Sequence, residues 1–278
     1  MSTVLIPLDL TYLSKCALEF GSQLANLMQA RLHLISVVEP PRQGRFRVSS
    51  GEYEPDSMGH FYQQQLLRIK ASQVEEHQDE LQQWFPALDI APTVRVGDPL
   101  PTVLDEIEQQ AIDLVIIGGD CFHASDHALE QLIRESTCPV LVVKCRLDKI
   151  TSYRDVVLLV DPQRDDSQVL SHLIVLQRWL NARLHLLWVN TPNRFTATKA
   201  ATQTLDRYRI KYGLDHAHPV LWDDESETEG LLRYSQSLDH AFLALAVHSR
   251  SFVQRLLRSD PASQLITSSA HPVWTFGH

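Results

Sequence analysis

Cys121-x-His123-x-x-x-His127, flanked by Asp120 and Asp126, gathers thiol, imidazole and carboxylate groups within eight residues. Those are the side chains that hold zinc or another transition metal. A structural zinc motif sets two ligand pairs well apart, whereas this is one short cluster. The same residues also read as a solvated polar loop in which Ser125 or Asp126 caps the helix that follows. No metal is expected, and Cys121, His123 and His127 are the candidates should one bind. A second group sets Arg250, Arg255 and Arg258 beside Ser249, Ser251 and Ser259. It could receive an anion, and it equally reads as a solvated helix and loop. The chain has no G-x-S-x-G elbow, no G-x-x-x-x-G-K-[ST] loop and no G-x-G-x-x-G fingerprint. An enzyme with a dedicated chemistry is not expected.

The elements around the first cluster say where it would stand. Leu114–Ile117 is a short apolar run, broken by Gly118–Gly119 and a polar loop. An amphipathic helix then carries Leu129, Leu132 and Ile133, and a second apolar run, Val140–Val143, opens after Pro139. Apolar runs on either side of such a helix make a parallel βαβ unit. Ligands of such sheets sit at the carboxyl end of a strand, against the next helix N-terminus. The loop 119–126 occupies that place. Upstream, strands are expected at Thr3–Asp9, Arg31–Val38 and around Val94 and Val96. Helices are expected at Ser14–Met28, Met58–Phe85 and from about Pro101, with 40–56 as a long surface loop.

The pattern then starts again. Ala182-Arg183-Leu184-His185-Leu186 repeats Ala30-Arg31-Leu32-His33-Leu34 letter for letter, and Asp161 follows Asp9 by the same 152 residues. A period this long means two domain copies rather than a solenoid. The expected domains are 1–147 and 153–278. The second should contain strands at Val156–Asp161, Val220–Trp222, Ala241–Val247 and Pro272–Phe276, with helices at Ala200–Tyr212 and around Leu231–Leu238. His33 and His185 are expected to face solvent or neighbours, and His216 and His218 to lie in an exposed loop.

Composition narrows the class. The 278 residues are 44% hydrophobic, enough for real cores. A net charge of −9 disfavours general binding to nucleic acid or anionic membrane. Cys16, Cys121, Cys138 and Cys145 form no CxxC pair and no disulfide framework, which suits a reducing compartment. No basic, apolar leader opens MSTVLIPLD, and no apolar run reaches membrane length. A cytoplasmic location is expected.

The segments LIPLDLT, ARLHLISVVE, VRVGDP, DLVIIGG and CPVLVV occur in order through the first copy. VVLLVD, ARLHLLWV, HSRS and HPVW follow in the second. With these the chain resembles the universal stress protein family in its tandem two-domain form. The resemblance implies an α/β fold of two tandem doubly wound domains, each an open five-stranded parallel sheet with helices on both faces. Family domains pair through the last strand, so the halves should form an intramolecular pseudo-dimer, and a homodimer of the chain stays open beside it. Some members bind ATP and others do not.

Members that bind ATP carry G-x-x-G, nine residues, then G-[ST], a loop whose glycines let backbone N–H groups approach phosphate. In the first copy Gly118 matches, but Cys121 replaces the second glycine and only four residues precede Asp126. In the second copy Ala246, Ser249 and Ser259 keep the spacing without a glycine, and Asp260 stands at the hydroxyl position. The positions corresponding to those around base and ribose are Pro7, Asp9 and Val37 in the first copy, with Asp161 and Val189 in the second. A carboxylate at the end of a first strand can equally cap the turn after it, so both readings of the aspartates stand. The expectation is a non-catalytic stress-response protein acting through protein contacts or a small ligand in a degenerate pocket, with no cofactor. The alternative is an adenine-nucleotide binder with the second domain as its site.

Overall fold

The computed structural model describes residues 2–9, 12–40, 55–118, 126–144, 147–247 and 269–277. In the first half these form β1 (Thr3–Pro7), α1 (Tyr12–Leu27), β2 (Arg31–Val38), α2 (Pro55–Trp84), β3 (Ile90–Val96), α3 (Pro99–Gln109), β4 (Leu114–Gly118), α4 (Asp126–Glu135) and β5 (Val140–Val143). The second half has β6 (Asp155–Leu159), α5 (Ser167–Leu180), β7 (Arg183–Asn190), α6 (Thr198–Lys211), β8 (His218–Asp223), α7 (Glu227–Ser235), β9 (Ala241–Val247) and β10 (Val273–Gly277). Most expected elements are present with ends moved by a few residues. Helix α5 is one that the strand-and-helix reading of the second copy did not name, and His218 begins a strand rather than lying in a loop.

All ten strands lie in one sheet, in the order β3-β2-β1-β4-β5-β10-β9-β6-β7-β8. Within each half neighbours are parallel; β5 and β10 are antiparallel, with Val142 opposite Val273 and Leu141 opposite Trp274. The final strands of the two copies therefore pair with each other, which covers what would be two bare edges. Thr275 reinforces the seam by donating its hydroxyl to the Val140 carbonyl at 2.9 Å. Since the central pair is antiparallel, the strand carboxyl ends of the two halves point in opposite directions.

Each face of the sheet is covered by helices. Leu24 and Ala25 of α1, Val74 and Leu81 of α2, Leu170 and Leu173 of α5 and Leu205 of α6 pack on one face. Val103 and Ile107 of α3, Leu129 and Leu132 of α4 and Leu231 of α7 pack on the other. Two helix ends repeat in detail. Gln29 after α1 and Asn181 after α5 both take left-handed backbone at φ 50° and 48°, the turn that closes a helix. Each next residue then donates back into the last turn, Ala30 to the Ala25 carbonyl and Ala182 to that of Gln177. The described stretch 147–154, which leads from the first copy into β6, is held in place as well. Ile150 donates to Gln23 of α1 at 3.2 Å, and buried Tyr153 packs edge-on against Phe20 and Phe242.

Candidate functional site

An open parallel sheet binds ligands where the strand order reverses, outside the carboxyl ends of the two strands that part there. That place is between β1 and β4 in the first half and between β6 and β9 in the second. The two crevices differ. β1 pairs with β4 at Val4–Leu114 and Leu5–Val115, and the ladder stops short of Pro7, which turns toward β4 and has no N–H to give it. β6 stays paired with β9 through five positions, up to Leu159 opposite Leu245. Leu159, which stands at the place of Pro7 in the second copy, keeps its N–H, and there the ladder runs on.

In the first half, β1 ends at Pro7, opposite Ile35. The following turn is pinned by the Leu8 N–H on the Ile35 carbonyl at 2.7 Å, and by buried Ser36, whose hydroxyl donates to the Leu8 carbonyl at 3.0 Å. Asp9 emerges half-buried at the mouth. Lys70 of α2 is near enough to feel it: burial pushes the Lys70 ammonium below the ordinary lysine range, while the Asp9 carboxylate pulls it back up. Val37 is half-buried on β2 and Gly118 closes β4, fully buried beside Val143. Pro7, Asp9, Val37 and Gly118 thus gather at one end of the sheet, joined by a lysine that motif spacing did not announce.

The second half repeats the turn, with the Val160 N–H on the Leu187 carbonyl at 2.9 Å. Its aspartate is already engaged. Asp161 accepts the Gln163 backbone N–H at 3.1 Å and guanidinium N–H groups of Arg164 and Arg194, each at 3.3 Å. Arg194 also reaches Glu227 at the start of α7, at 3.5 Å. Val189 is buried against α7 at Gly230, where a Cβ would stand 2.6 and 2.7 Å from the two Val189 methyls. Its side chain belongs to the core. Ala246 is half-buried on β9, opposite Phe276. Cys121, His123, Ser249 and Ser259, together with the His127 side chain, lie outside the described residues. Among the described residues no group of three metal-ligating side chains comes together.

The repeated histidines lie on strands and face neighbours, not solvent: both are buried and hydrogen-bonded. His33 donates its Nε2–H to Glu106 of α3 at 2.9 Å, and Arg95 donates to the other Glu106 oxygen at 3.1 Å. Burial pushes the His33 imidazole below the ordinary histidine range, against the upward pull of Glu106. His185 donates Nε2–H to Asp155 at 2.8 Å and accepts the Tyr234 hydroxyl at Nδ1, also at 2.8 Å. Burial alone would raise the Asp155 carboxyl, but hydrogen bonds from Arg183 and His185 outweigh it and hold it below the usual range. The carboxylate has thus moved from helix to strand between the copies, with Tyr234 on α7 partnering the ring as Glu106 does on α3. The signal was the five-residue identity itself, which set a polar ring inside an apolar run twice. Of the cysteines, Cys138 is free and buried, while Cys16 is disulfide-bonded, so cysteine spacing does not by itself fix the redox compartment.

No helix among the described residues is long and apolar enough to cross a membrane. Some solved structures agree with this one over the whole chain. A universal stress protein from Archaeoglobus fulgidus superimposes with a TM-score of 0.70 at 13% identity, over 99% of this chain and 96% of that one. A functionally unknown protein from Pseudomonas aeruginosa does so with a TM-score of 0.57 at 15% identity, over 100% and 92%. A universal stress protein solved in complex with cAMP matches about one half, with a TM-score of 0.36 at 18% identity over 51% of this chain and 96% of its own. No curated protein sequence matches. The sequence model of the universal stress protein family matches residues 1–144, and the chain belongs to that family.

Proposed function

We infer that this chain is a non-catalytic stress-response protein, acting through protein contacts or through a small ligand held in a degenerate nucleotide pocket. The observation that carries the reading is the state of the second crevice. Asp161, the carboxylate at the ribose position, has its oxygens taken by Gln163, Arg164 and Arg194, and the β6–β9 ladder runs unbroken to the mouth. A ligand diol would have to displace those partners. The mouth between β1 and β4, with Pro7, Asp9, Val37 and Gly118 around it and Lys70 nearby, is the place this reading assigns to a small ligand. The domains are taken as 1–147 and 153–278, in the cytoplasm, without nucleic-acid or membrane partners. A protein partner and a homodimer both fit this reading.

Adenine-nucleotide binding is the second reading, favoured by the complete Ala246–Ser249–Ser259 spacing of the second copy. Against it stand Asp260, which would meet phosphate with like charge, and the engaged Asp161. A carboxylate about 4 Å from a phosphate oxygen costs roughly 1–4 kcal/mol at effective dielectrics of 80 to 20. Calorimetry with ATP and magnesium on the wild type and on Asp260→Ser and Asp161→Ala variants decides between them. We expect no micromolar binding by the wild type. Micromolar binding that Asp161→Ala abolishes and Asp260→Ser leaves alone would establish the nucleotide reading. Mass spectrometry of small molecules carried by the native purified protein tests the ligand half of the first reading, with Asp9→Ala expected to lose whatever is retained.

A further inference from the structure

The ten-stranded ladder ends in β3 on one side and β8 on the other, each without a strand neighbour on its outer side among the described residues. In a parallel ladder, successive residues of a strand turn their N–H and C=O groups alternately to either side. On β3 two bonds fix the alternation. The Leu32 N–H donates to the Asp89 carbonyl at 2.8 Å, and the Gly97 N–H to the Val38 carbonyl at 3.1 Å. Asp89 and Gly97 therefore face β2, and the register between them is unbroken. Ala91, Thr93 and Arg95 face inward with them; Ile90, Pro92 and Val94 face out. On β8 the Asp224 N–H donates to the Asn190 carbonyl at 3.1 Å, again at the end of an unbroken register. Val220 and Trp222 then face β7, while Pro219 and Leu221 face out.

Each outer strand thus has a proline at an outward position, where its missing N–H costs the sheet nothing and removes a donor from the bare edge. The two prolines are equivalent in space. Pro92 lies opposite Leu34 and Pro219 opposite Leu186, the matching leucines of the five-residue repeat. In the linear sequence they do not align at the 152-residue offset, because both the helix α2 and the connection leading into it are longer than α6 and its connection. The equivalence is visible only in the register.

We propose that Pro92 and Pro219 close β3 and β8 to strand addition and hold the sheet at ten strands, and that the partner they exclude is the outer strand of a second copy of this chain. An incoming strand meets a proline ring and no donor at the third residue of β3 and at the second of β8. With one edge opened, two copies pair into a closed dimer; with both opened, they add without limit.

The test uses the full chain with Pro92→Val and Pro219→Val, singly and together, and the matching alanine substitutions. Sedimentation velocity over a range of concentrations reads assembly, near-ultraviolet circular dichroism reads the fold, and amide exchange reads the outward N–H groups of Val94 and Leu221. Each single variant is expected to double the sedimenting mass relative to wild type, and the double variant to exceed that, with slowed exchange at the opened edge. Alanine should act like valine, since both restore the donor. Variants that keep the fold and sediment as the wild type overturn the proposal. So does association by valine alone, which would trace it to added apolar surface, or slow exchange at Val94 and Leu221 in the wild type that is lost on dilution.

Discussion

His33 and His185 carry the same short sequence into the same buried place, and the surrounding residues satisfy them by different means. In a buried site an imidazole N–H without an acceptor costs about 1–3 kcal/mol, so a carboxylate must be supplied from somewhere. Glu106 supplies it in one half and Asp155 in the other. The direction of the His33 shift sets a pH dependence. The unfolded chain takes up this proton near the ordinary value of 6.5, and the folded chain only at lower pH. Between those values the unfolded chain binds more protons, so stability is complete above 6.5 and falls as pH drops below it. Asp155 acts in a separate, lower window. Its folded value lies below the ordinary 3.8, so its contribution is present above that value and is lost as pH falls further. Urea unfolding from pH 7.5 to 5 should show the midpoint falling below 6.5. A His33→Gln variant, which keeps a donor for Glu106 and does not titrate, should flatten that fall. An unchanged slope would mean that other histidines set it.

At the scale of elements, the repeat is written in helix ends as well as in strands. Asn181 suits its left-handed turn, since its short polar side chain tolerates that backbone; Gln29 holds the same conformation in the first half less comfortably. Replacing Gln29 with glycine should therefore stabilise the protein by about 1 kcal/mol. The same change at Asn181 should gain less. Thermal melts of the two variants check this, and a loss of stability at Gln29→Gly would show that its side chain matters more than its backbone. Helix length differs more than helix ends. The 30 residues of α2 against the 14 of α6 break the linear correspondence between the copies while leaving strand order intact. Sheet register tolerates such insertions because each crossover needs only to return the chain to the next strand.

For the whole molecule, the β5–β10 pair makes one sheet of two halves, and Trp274 at its centre is among the largest fully buried side chains. Trp274→Ala should cost about 3–5 kcal/mol. Since its strand pairs with β5, the loss should appear in amide protection of Leu141 and Val142 as well as in the second half. Protection of the first half that survives intact would mean that the halves fold independently. Tyr153 adds to this coupling, being buried between Phe20 of α1 and Phe242 of β9; burial pushes its phenol up to about 12.

Apolar runs, breaker residues and the 152-residue repeat determined the parallel α/β class and the two copies, because burial of a parallel sheet leaves a mark in consecutive residues, while the pairing of the last strands came from the family resemblance. The family's motif positions likewise placed Pro7, Asp9, Val37 and Gly118 at one strand end. What neighbours those residues would meet was not legible. Arg164 and Arg194 on Asp161, Gly230 under Val189, Lys70 near Asp9 and the carboxylates of the two histidines all arrive from segments distant in sequence or from loops without a period. Only the tertiary structure decided that β1 meets β4 and β6 meets β9, since each pair joins strands far apart in the sequence. Pairing between strands is a property of two segments at once, and no pattern within either one records it.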